Sequence, residues 1–206
     1  MKFLPLMEAF YTIQGEGANT GMPAYFIRLA GCDVGCHWCD VKESWDPEKH
    51  PLVSIEKITN GVAKYQAKNA VITGGEPLMY NLDSLTKGLK KIGIRTFVET
   101  SGAYPLSGVW DWICLSPEET KLPLKEIYLK ANELKLIVYN KDDFRFAEDC
   151  ASKFLPSHCE RPWMGSLYLQ PEWSRREAML PEIIEYVKAN PQWRISLQTH
   201  KYIGVP

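Results

Sequence analysis

Seven short runs of apolar and β-branched residues recur along the chain, and stretches with helical spacing lie between several of them. This alternation constrains the fold most strongly, because strands joined by helical crossovers run parallel to one another. The residues that follow each strand of a β/α barrel meet at one edge and form its active site. The predicted strands are residues 24–30, 70–73, 94–98, 112–115, 134–139, 167–169 and 193–197.

Two of the intervening segments predict helices. Residues 54–66 carry apolar side chains at helical spacing, behind a Ser54 that can cap the helix N-terminus. Asn81 can cap a second helix, and Gly93 marks its end. The connection from residue 98 to residue 112 is too short for a full helix, and a complete eight-fold barrel takes about 250 residues. We therefore expect one α/β domain over residues 1–206, an incomplete, open β/α barrel with mostly parallel strands.

Composition narrows the class of partner. The 24 basic and 25 acidic residues leave a net charge of −1, so nothing draws the chain as a whole to nucleic acid or to an anionic membrane. We expect a small-molecule substrate. The N-terminal apolar stretch is interrupted by Pro5 and ended by Glu8, which makes it shorter than a signal-peptide core. No segment has the apolar length of a membrane span, so the sequence predicts a cytoplasmic protein.

Three cysteines, Cys32, Cys36 and Cys39, follow the first predicted strand in a C-x3-C-x2-C loop. Three thiolates are one fewer than a closed four-ligand iron–sulfur or zinc site needs, so a cluster held here keeps one iron open for chemistry. The alternative is a structural zinc site closed by His37, His158 or another cysteine. A zinc ribbon usually pairs two C-x2-C knuckles, and the sequence has no second one.

A second motif follows the predicted strand at residues 70–73, where the chain reads Thr-Gly-Gly-Glu-Pro over residues 73–77. Adjacent glycines let the backbone approach a ligand closely and leave its amide and carbonyl groups available. Taken alone, the motif is equally an ordinary turn between a strand and a helix.

Together the two motifs resemble the radical S-adenosylmethionine superfamily, in which three cysteines hold a 4Fe-4S cluster and the Gly-Gly-Glu-Pro turn meets the methionyl amino group. Residues 97–102, Phe-Val-Glu-Thr-Ser-Gly, resemble the third-strand motif of that superfamily. The resemblance implies a barrel of the radical S-adenosylmethionine type. It also implies S-adenosylmethionine contacts at Trp38, Cys39, Asp40, Gly74, Gly75, Glu76, Glu99, Ser101, Ser116, Pro117, Glu118, Gln170 and Pro171.

The two ends of the chain resemble one family within that superfamily. Residues 10–17, Phe-Tyr-Thr-Ile-Gln-Gly-Glu-Gly, and residues 197–206 are similar to the 7-carboxy-7-deazaguanine synthases. The resemblance implies a lyase that contracts the ring of 6-carboxy-5,6,7,8-tetrahydropterin and releases ammonia, in queuosine and deazapurine biosynthesis. The implied substrate contacts are Ile13, Gln14, Gly15, Glu16, Arg28, Thr73, His200 and Pro206.

The chemistry of a pterin suits these residue types. Its pyrimidinone edge offers donors and acceptors that Gln14 and Glu16 can pair with, and its carboxylate suits the planar guanidinium of Arg28. Simpler interpretations stay open: Gly15 and Gly17 can serve only a turn, and Arg28 can belong to a surface ion pair.

The sequence departs from the family at two positions. The family usually carries Ser or Thr where this chain has Val41, and that hydroxyl helps bind Mg²⁺; a magnesium role is therefore doubtful here. Glu118 stands where the family often carries Lys. The resemblance further implies flavodoxin or ferredoxin as reductant, and an open barrel leaves edges that a homodimer can cover. The alternative functions are a glycyl-radical activating enzyme, which needs a peptide substrate, and a non-catalytic zinc or iron–sulfur binding module.

Overall fold

The computed structural model describes residues 2–154 and 166–206, and among these residues nine strands form one sheet. The strands are β1 Phe3–Ile13, β2 Pro23–Leu29, β3 Leu52–Ser54, β4 Asn69–Gly74, β5 Arg95–Thr100, β6 Trp112–Leu115, β7 Glu133–Val138, β8 Ser166–Pro171 and β9 Trp193–Ile195. Their spatial order is β3-β1-β2-β4-β5-β6-β7-β8-β9. β1 runs antiparallel to β2 and β3, and every neighbouring pair from β2 to β9 is parallel. The predicted open, mostly parallel α/β architecture is confirmed.

Six α-helices accompany the strands in the described part of the chain: α1 Ile55–Ala63, α2 Asp83–Lys91, α3 Lys125–Tyr128, α4 Asp143–Phe154, α5 Arg176–Ala189 and α6 Thr199–Ile203. Ser54 caps α1 as predicted, since its Oγ accepts a hydrogen bond from Lys57 N at 3.2 Å. Asn81 Oδ1 accepts from Asp83 N at 3.1 Å, one residue further from the helix than expected. Residues 101–111, all of them described, connect β5 to β6 without a helix.

Every predicted strand is present, but β1 and β3 were not predicted. β1 carries Pro5 and the charged Glu8 within its length and has a register shift between Leu6 and Glu8, so it lacks a regular alternating pattern. β3 has only three residues, too few for a periodic signal.

The strands divide their side chains between two faces. Leu134, Leu136 and Val138 of β7 lie in the apolar core under the helices, whereas Lys135 and Ile137 face a cavity on the other side. β2 behaves alike, because Ile27 is buried in a core cluster and its neighbours Phe26 and Arg28 line the same cavity. Successive side chains of a strand point to opposite faces, so this alternation gives the concave face its polar character. Within residues 2–154 and 166–206, every helix is too short or too polar to span a bilayer.

Candidate active site

The concave face of the sheet encloses a cavity of about 310 Å³. The three cysteines of the C-x3-C-x2-C loop line it, as do all eight residues expected to contact the substrate. Of the residues expected to contact S-adenosylmethionine, Pro117 is the exception that does not line it. Cavity residues that the sequence did not single out are Phe10, Phe26, Val34, Trp45, Thr100, Lys135, Ile137, Glu172, Trp173 and Gln198.

The cysteine loop is tied to the rest of the fold by its backbone and by one ion pair. Gly31 N and Cys32 N donate to Ser44 O and Trp45 O, at 2.6 and 3.2 Å. Asp33 accepts two hydrogen bonds from Lys121 Nζ, at 2.8 and 2.7 Å, and a third from Tyr104. These contacts fix the loop at the end of β2, where the sequence placed it.

The donor set fits a cluster. Cys32, Cys36 and Cys39 are half-buried and unpaired by disulfides. Burial raises the pKa of the Cys32 thiol and, with the nearby Glu118 carboxylate, that of Cys36, which favours thiols until a cation binds. Among the described residues no three His, Cys, Asp or Glu side chains converge on one metal ion. A cuboidal cluster requires no such convergence, because each thiolate binds a separate iron. His158, one of the alternative zinc ligands, and Cys159 lie outside the described residues.

The two glycines at the end of β4 allow close contact with β2 and with the cysteine loop. A Cβ on Gly75 would lie 2.4 Å from Gly31 O and 2.8 Å from Cys32 Cβ, closer than real side chains approach. Gly74 has φ +148°, and a Cβ there would lie 2.0 Å from Leu29 O. Glycine is therefore required at position 75 by contact with the cysteine loop and at position 74 by contact with β2, which an ordinary turn does not explain.

Glu76 is buried and serves as an acceptor that joins two turns. Its Oε1 accepts from Leu78 N at 2.9 Å and from Thr100 Oγ1 at 2.7 Å. Its Oε2 accepts from Ser101 N and Ser101 Oγ, at 2.8 and 2.5 Å. The carboxylate thereby holds the turn after β4 against the turn after β5, with both turns on the cavity wall.

Lys135 connects the cavity's acidic residues. Its ammonium nitrogen lies 2.6 Å from Glu16 Oε2 and 2.9 Å from Glu99 Oε2. Glu16 Oε1 accepts from Gln198 Nε2 at 3.0 Å, and Glu99 Oε1 accepts from Gln14 Nε2 at 3.0 Å. The sequence signal that could have revealed Lys135 is a single charged residue inside an otherwise apolar parallel strand.

The C-terminal segment packs directly on the segment that follows β1. Thr199 N and Thr199 Oγ1 donate to Gly15 O at 2.9 and 2.6 Å, and Thr12 Oγ1 donates to Pro206 O at 3.1 Å. A Cβ on Gly15 would lie 2.2 Å from His200 Nδ1, so Gly15 admits the imidazole. Burial lowers the pKa of His200, which favours the neutral ring near neutral pH.

The Arg28 side chain lies between the cavity and Glu8. Its side chain lines the cavity, and its Nε also donates to Glu8 Oε1 at 2.6 Å in an ion pair near the surface. The remaining guanidinium donors are available to an acidic ligand group, because an Arg side chain carries five N–H donors.

The position after Asp40 supplies no side-chain ligand for magnesium, because Val41 occupies it. Magnesium needs oxygen ligands in octahedral geometry, and the Val41 side chain supplies none. The neighbouring Asp40 carboxylate is paired with Lys201, whose ammonium lies 2.9 Å from Asp40 Oδ2.

Glu118 is the second position where the chain departs from the family. Burial raises the pKa of Glu118 to about 8, so this carboxyl is largely protonated at neutral pH.

Comparisons with known proteins indicate the family of this chain. The Radical SAM superfamily model matches residues 26–119. The 7-carboxy-7-deazaguanine synthase of Flavobacterium psychrophilum is 55% identical over 205 residues, covering 100% of this chain and 94% of the relative. The synthase of the same name from Synechocystis is 49% identical, over 98% of this chain and 93% of the relative.

A solved structure shows the same fold. The crystal structure of QueE from Escherichia coli superposes with a TM-score of 0.82 at 32% identity, covering 95% of this chain and 93% of the other. Sequence similarity over the whole length and this shared architecture agree with each other. The chain therefore belongs to the 7-carboxy-7-deazaguanine synthase family of the radical S-adenosylmethionine superfamily.

Proposed function

We propose that this protein converts 6-carboxy-5,6,7,8-tetrahydropterin to 7-carboxy-7-deazaguanine with release of ammonia, in queuosine and deazapurine biosynthesis. One observation carries the proposal: a single cavity is lined both by the three cysteine thiols and by the polar residues of the Gln-Gly-Glu and Gln-Thr-His segments. Full-length relatives that carry the synthase name support it.

The cysteine loop and the glycine turn form the cofactor side of the site. Cys32, Cys36 and Cys39 hold a 4Fe-4S cluster, and the backbone at Gly74 and Gly75 approaches S-adenosylmethionine. When bound, the reduced cluster and S-adenosylmethionine supply the one-electron chemistry that removes a hydrogen atom from the substrate. The other contacts proposed for S-adenosylmethionine are Trp38, Asp40, Glu76, Glu99, Ser101, Ser116, Pro117, Glu118, Gln170 and Pro171.

The substrate side recognises a flat, polar heterocycle with an acidic substituent. Gln14 and Glu16 pair with the pyrimidinone edge, Arg28 binds the carboxylate, and His200 closes the pocket. The hydrogen bond from Thr199 Oγ1 to Gly15 O holds the C-terminal segment against the Gln-Gly-Glu segment beside the pocket. The remaining proposed substrate contacts are Ile13, Gly15, Thr73 and Pro206.

We further propose that the protein works in the cytoplasm as one domain, 1–206, receives electrons from flavodoxin or ferredoxin, and forms a homodimer. A dimer is supported by the open sheet, since β3 and β9 end it as unpaired edges in the described part of the chain.

Anaerobic reconstitution tests the function. The protein, loaded with iron and sulfide, is incubated with S-adenosylmethionine, a chemical reductant and the pterin, and the products are identified by mass spectrometry. We expect 7-carboxy-7-deazaguanine and ammonia. Binding of one zinc and no iron, or cleavage of S-adenosylmethionine with the pterin left unchanged, would contradict the proposal.

A further inference from the structure

Lys135 places a buried positive charge between two carboxylates from distant parts of the chain. Its side chain is 5% exposed, and its ammonium donates to Glu16 on one side and Glu99 on the other, at 2.6 and 2.9 Å. An ammonium buried without partners is costly, so this pairing is what makes the position stable. Removing the ammonium would leave two carboxylates beside the cavity without the cation that compensates them.

The second oxygen of each carboxylate is also held. Gln198 Nε2 donates to Glu16 Oε1, and Gln14 Nε2 donates to Glu99 Oε1, both at 3.0 Å. Each carboxylate therefore has at least one ammonium contact and one amide contact. A carboxylate offers about four acceptor sites, so each retains capacity for N–H donors of a ligand in the cavity.

We propose that Lys135 is a positioning residue for the pterin, because it fixes Glu16, an acceptor for the N–H groups of the substrate's 2-aminopyrimidinone edge, relative to Glu99, which faces S-adenosylmethionine. This inference rests on the proposed function. It makes Lys135 responsible for the arrangement of the groups that recognise the substrate. Lys135 acts through the two carboxylates and is not itself required to touch the substrate.

The charges around Lys135 support this role. Burial alone would raise the pKa of Glu16, but the charge and hydrogen bond of Lys135, together with hydrogen bonds from glutamine side chains, lower it to about 2. Glu16 is thus ionised throughout the physiological range. The titratable groups that face this ammonium and its carboxylates are Glu16, Glu99, Glu133, Cys114 and His200.

Removal of the Lys135 ammonium should reverse the shift in the pKa of Glu16. Without Lys135, burial and the neighbouring Glu99 carboxylate both disfavour the ionised form of Glu16, so its pKa rises. A protonated Glu16 offers one acceptor fewer to the substrate and introduces a donor where an acceptor is needed. Substrate binding should then gain a pH dependence to which Glu16 of the wild type, with its pKa of about 2, does not contribute.

A purely structural role makes a different prediction. If Lys135 only filled the interior, its loss would lower stability and cluster content and leave the pH dependence of substrate binding unchanged. A matched control is available in Lys90, which forms an ion pair with Asp111 before β6, away from the cavity.

The test compares Lys135→Met, Lys135→Arg and the control Lys90→Met as reconstituted holoenzymes. We expect Lys135→Met to raise KM for the pterin about 10- to 100-fold, with a smaller effect on kcat. Its kcat/KM should gain one acid limb between about pH 5 and pH 8 in addition to any ionisation seen in the wild type. Lys135→Arg should keep the wild-type pH profile, with KM raised several-fold by its different donor geometry. Lys90→Met should match the wild type in both readouts.

A second readout needs no turnover. Carbon-13 NMR of labelled glutamate carboxyls in the protein without substrate should show one more protonated carboxyl in Lys135→Met than in the wild type at neutral pH. Wild-type spectra in Lys135→Met, or a wild-type KM in either Lys135 variant, would overturn the inference. If the two proteins show this NMR difference but the wild type leaves the pterin unchanged, the proposed function alone is overturned. If Lys135→Met does not fold, Lys135→Arg decides by its KM.

Discussion

Lys201 donates a hydrogen bond from its ammonium group to Asp40 Oδ2 at 2.9 Å, one residue before Val41. The same ammonium lies 3.2 Å from Gln198 Oε1, whose amide nitrogen donates to Glu16. A protein cation thus pairs with Asp40, the carboxylate that directly precedes the position where the family usually supplies a hydroxyl to magnesium. The chain compensates the charge of Asp40 without a metal.

Turnover is therefore expected to be independent of magnesium. The rate of product formation in magnesium-free buffer should lie within about twofold of the rate with added Mg²⁺, since the oxygen ligands that Mg²⁺ requires are not provided. Val41→Thr restores a hydroxyl, and its rate should increase when Mg²⁺ is added. A wild-type rate that falls tenfold or more on removal of magnesium would show that another ligand set holds the ion.

Arg28→Ala should weaken binding of the carboxylated pterin and leave cluster content intact. Loss of a charged hydrogen-bond pair with a carboxylate corresponds to about 1.5–3 kcal/mol, or about a 10- to 100-fold increase in KM. The control is Glu8→Ala, which removes the observed ion pair and leaves the guanidinium in place. If Glu8→Ala and Arg28→Ala raise KM equally, the ion pair rather than the substrate carboxylate explains Arg28.

Gly75→Ala should prevent assembly of the site. The added methyl would lie 2.4 Å from Gly31 O, so the turn after β4 and the cysteine loop must separate. Iron content after reconstitution and the visible absorbance of the cluster should both drop severalfold. The control is Gly88→Ala in α2, where the nearest atom to the new Cβ is Thr59 Oγ1 at 3.3 Å. Equal iron content in the two variants would show that the turn tolerates the methyl group.

The pH dependence of stability should report Glu133. Burial and then the Glu99 charge raise the pKa of Glu133 from 4.5 to about 7, so the folded protein holds this proton more tightly than the unfolded chain does. The stabilisation is complete below pH 4.5 and is lost as the pH rises through about 7. Glu133→Gln resembles the protonated form at every pH. Relative to this variant, the wild type should lose about 3 kcal/mol of unfolding free energy between about pH 4.5 and pH 8.

Chemical denaturation at each pH measures this difference. Glu133 accepts from Ala18 N and Trp112 Nε1, so Glu133→Gln alters stability at all pH values, and only the slope of the difference with pH is diagnostic. Parallel stability curves for the two proteins would exclude the raised pKa.

The sequence predicted the central strands because their residues are buried on a parallel sheet and form apolar runs, as in residues 112–115. It predicted the cysteine loop and the glycine turn because short motifs carry their chemistry in local spacing. It did not predict β1, since Pro5 and Glu8 interrupt the pattern and pairing with β2 supplies the missing order.

Contacts between residues that lie far apart along the chain could not be predicted from one sequence. Lys135 was overlooked because its partner Glu16 is 119 residues away along the chain, so no local pattern links the two. The ion pair of Asp40 with Lys201 joins positions 161 residues apart and was missed for the same reason. The sequence could not decide whether Arg28 contacts the substrate or forms an ion pair, because Glu8 and most of the residues that line the cavity with Arg28 lie on other parts of the chain.

Successive side chains of β7 point to opposite faces of the sheet, so neighbouring residues are selected for different properties, folding on one face and function on the other. Substitutions at Leu134, Leu136 and Val138 should act on how much folded protein accumulates, and those at Lys135 and Ile137 on what the folded protein does. A saturation scan that scores abundance and activity separately should therefore alternate between the two scores along this strand. Adjacent codons would then evolve under different constraints, and variants that improve expression could be combined with the native pocket without altering it.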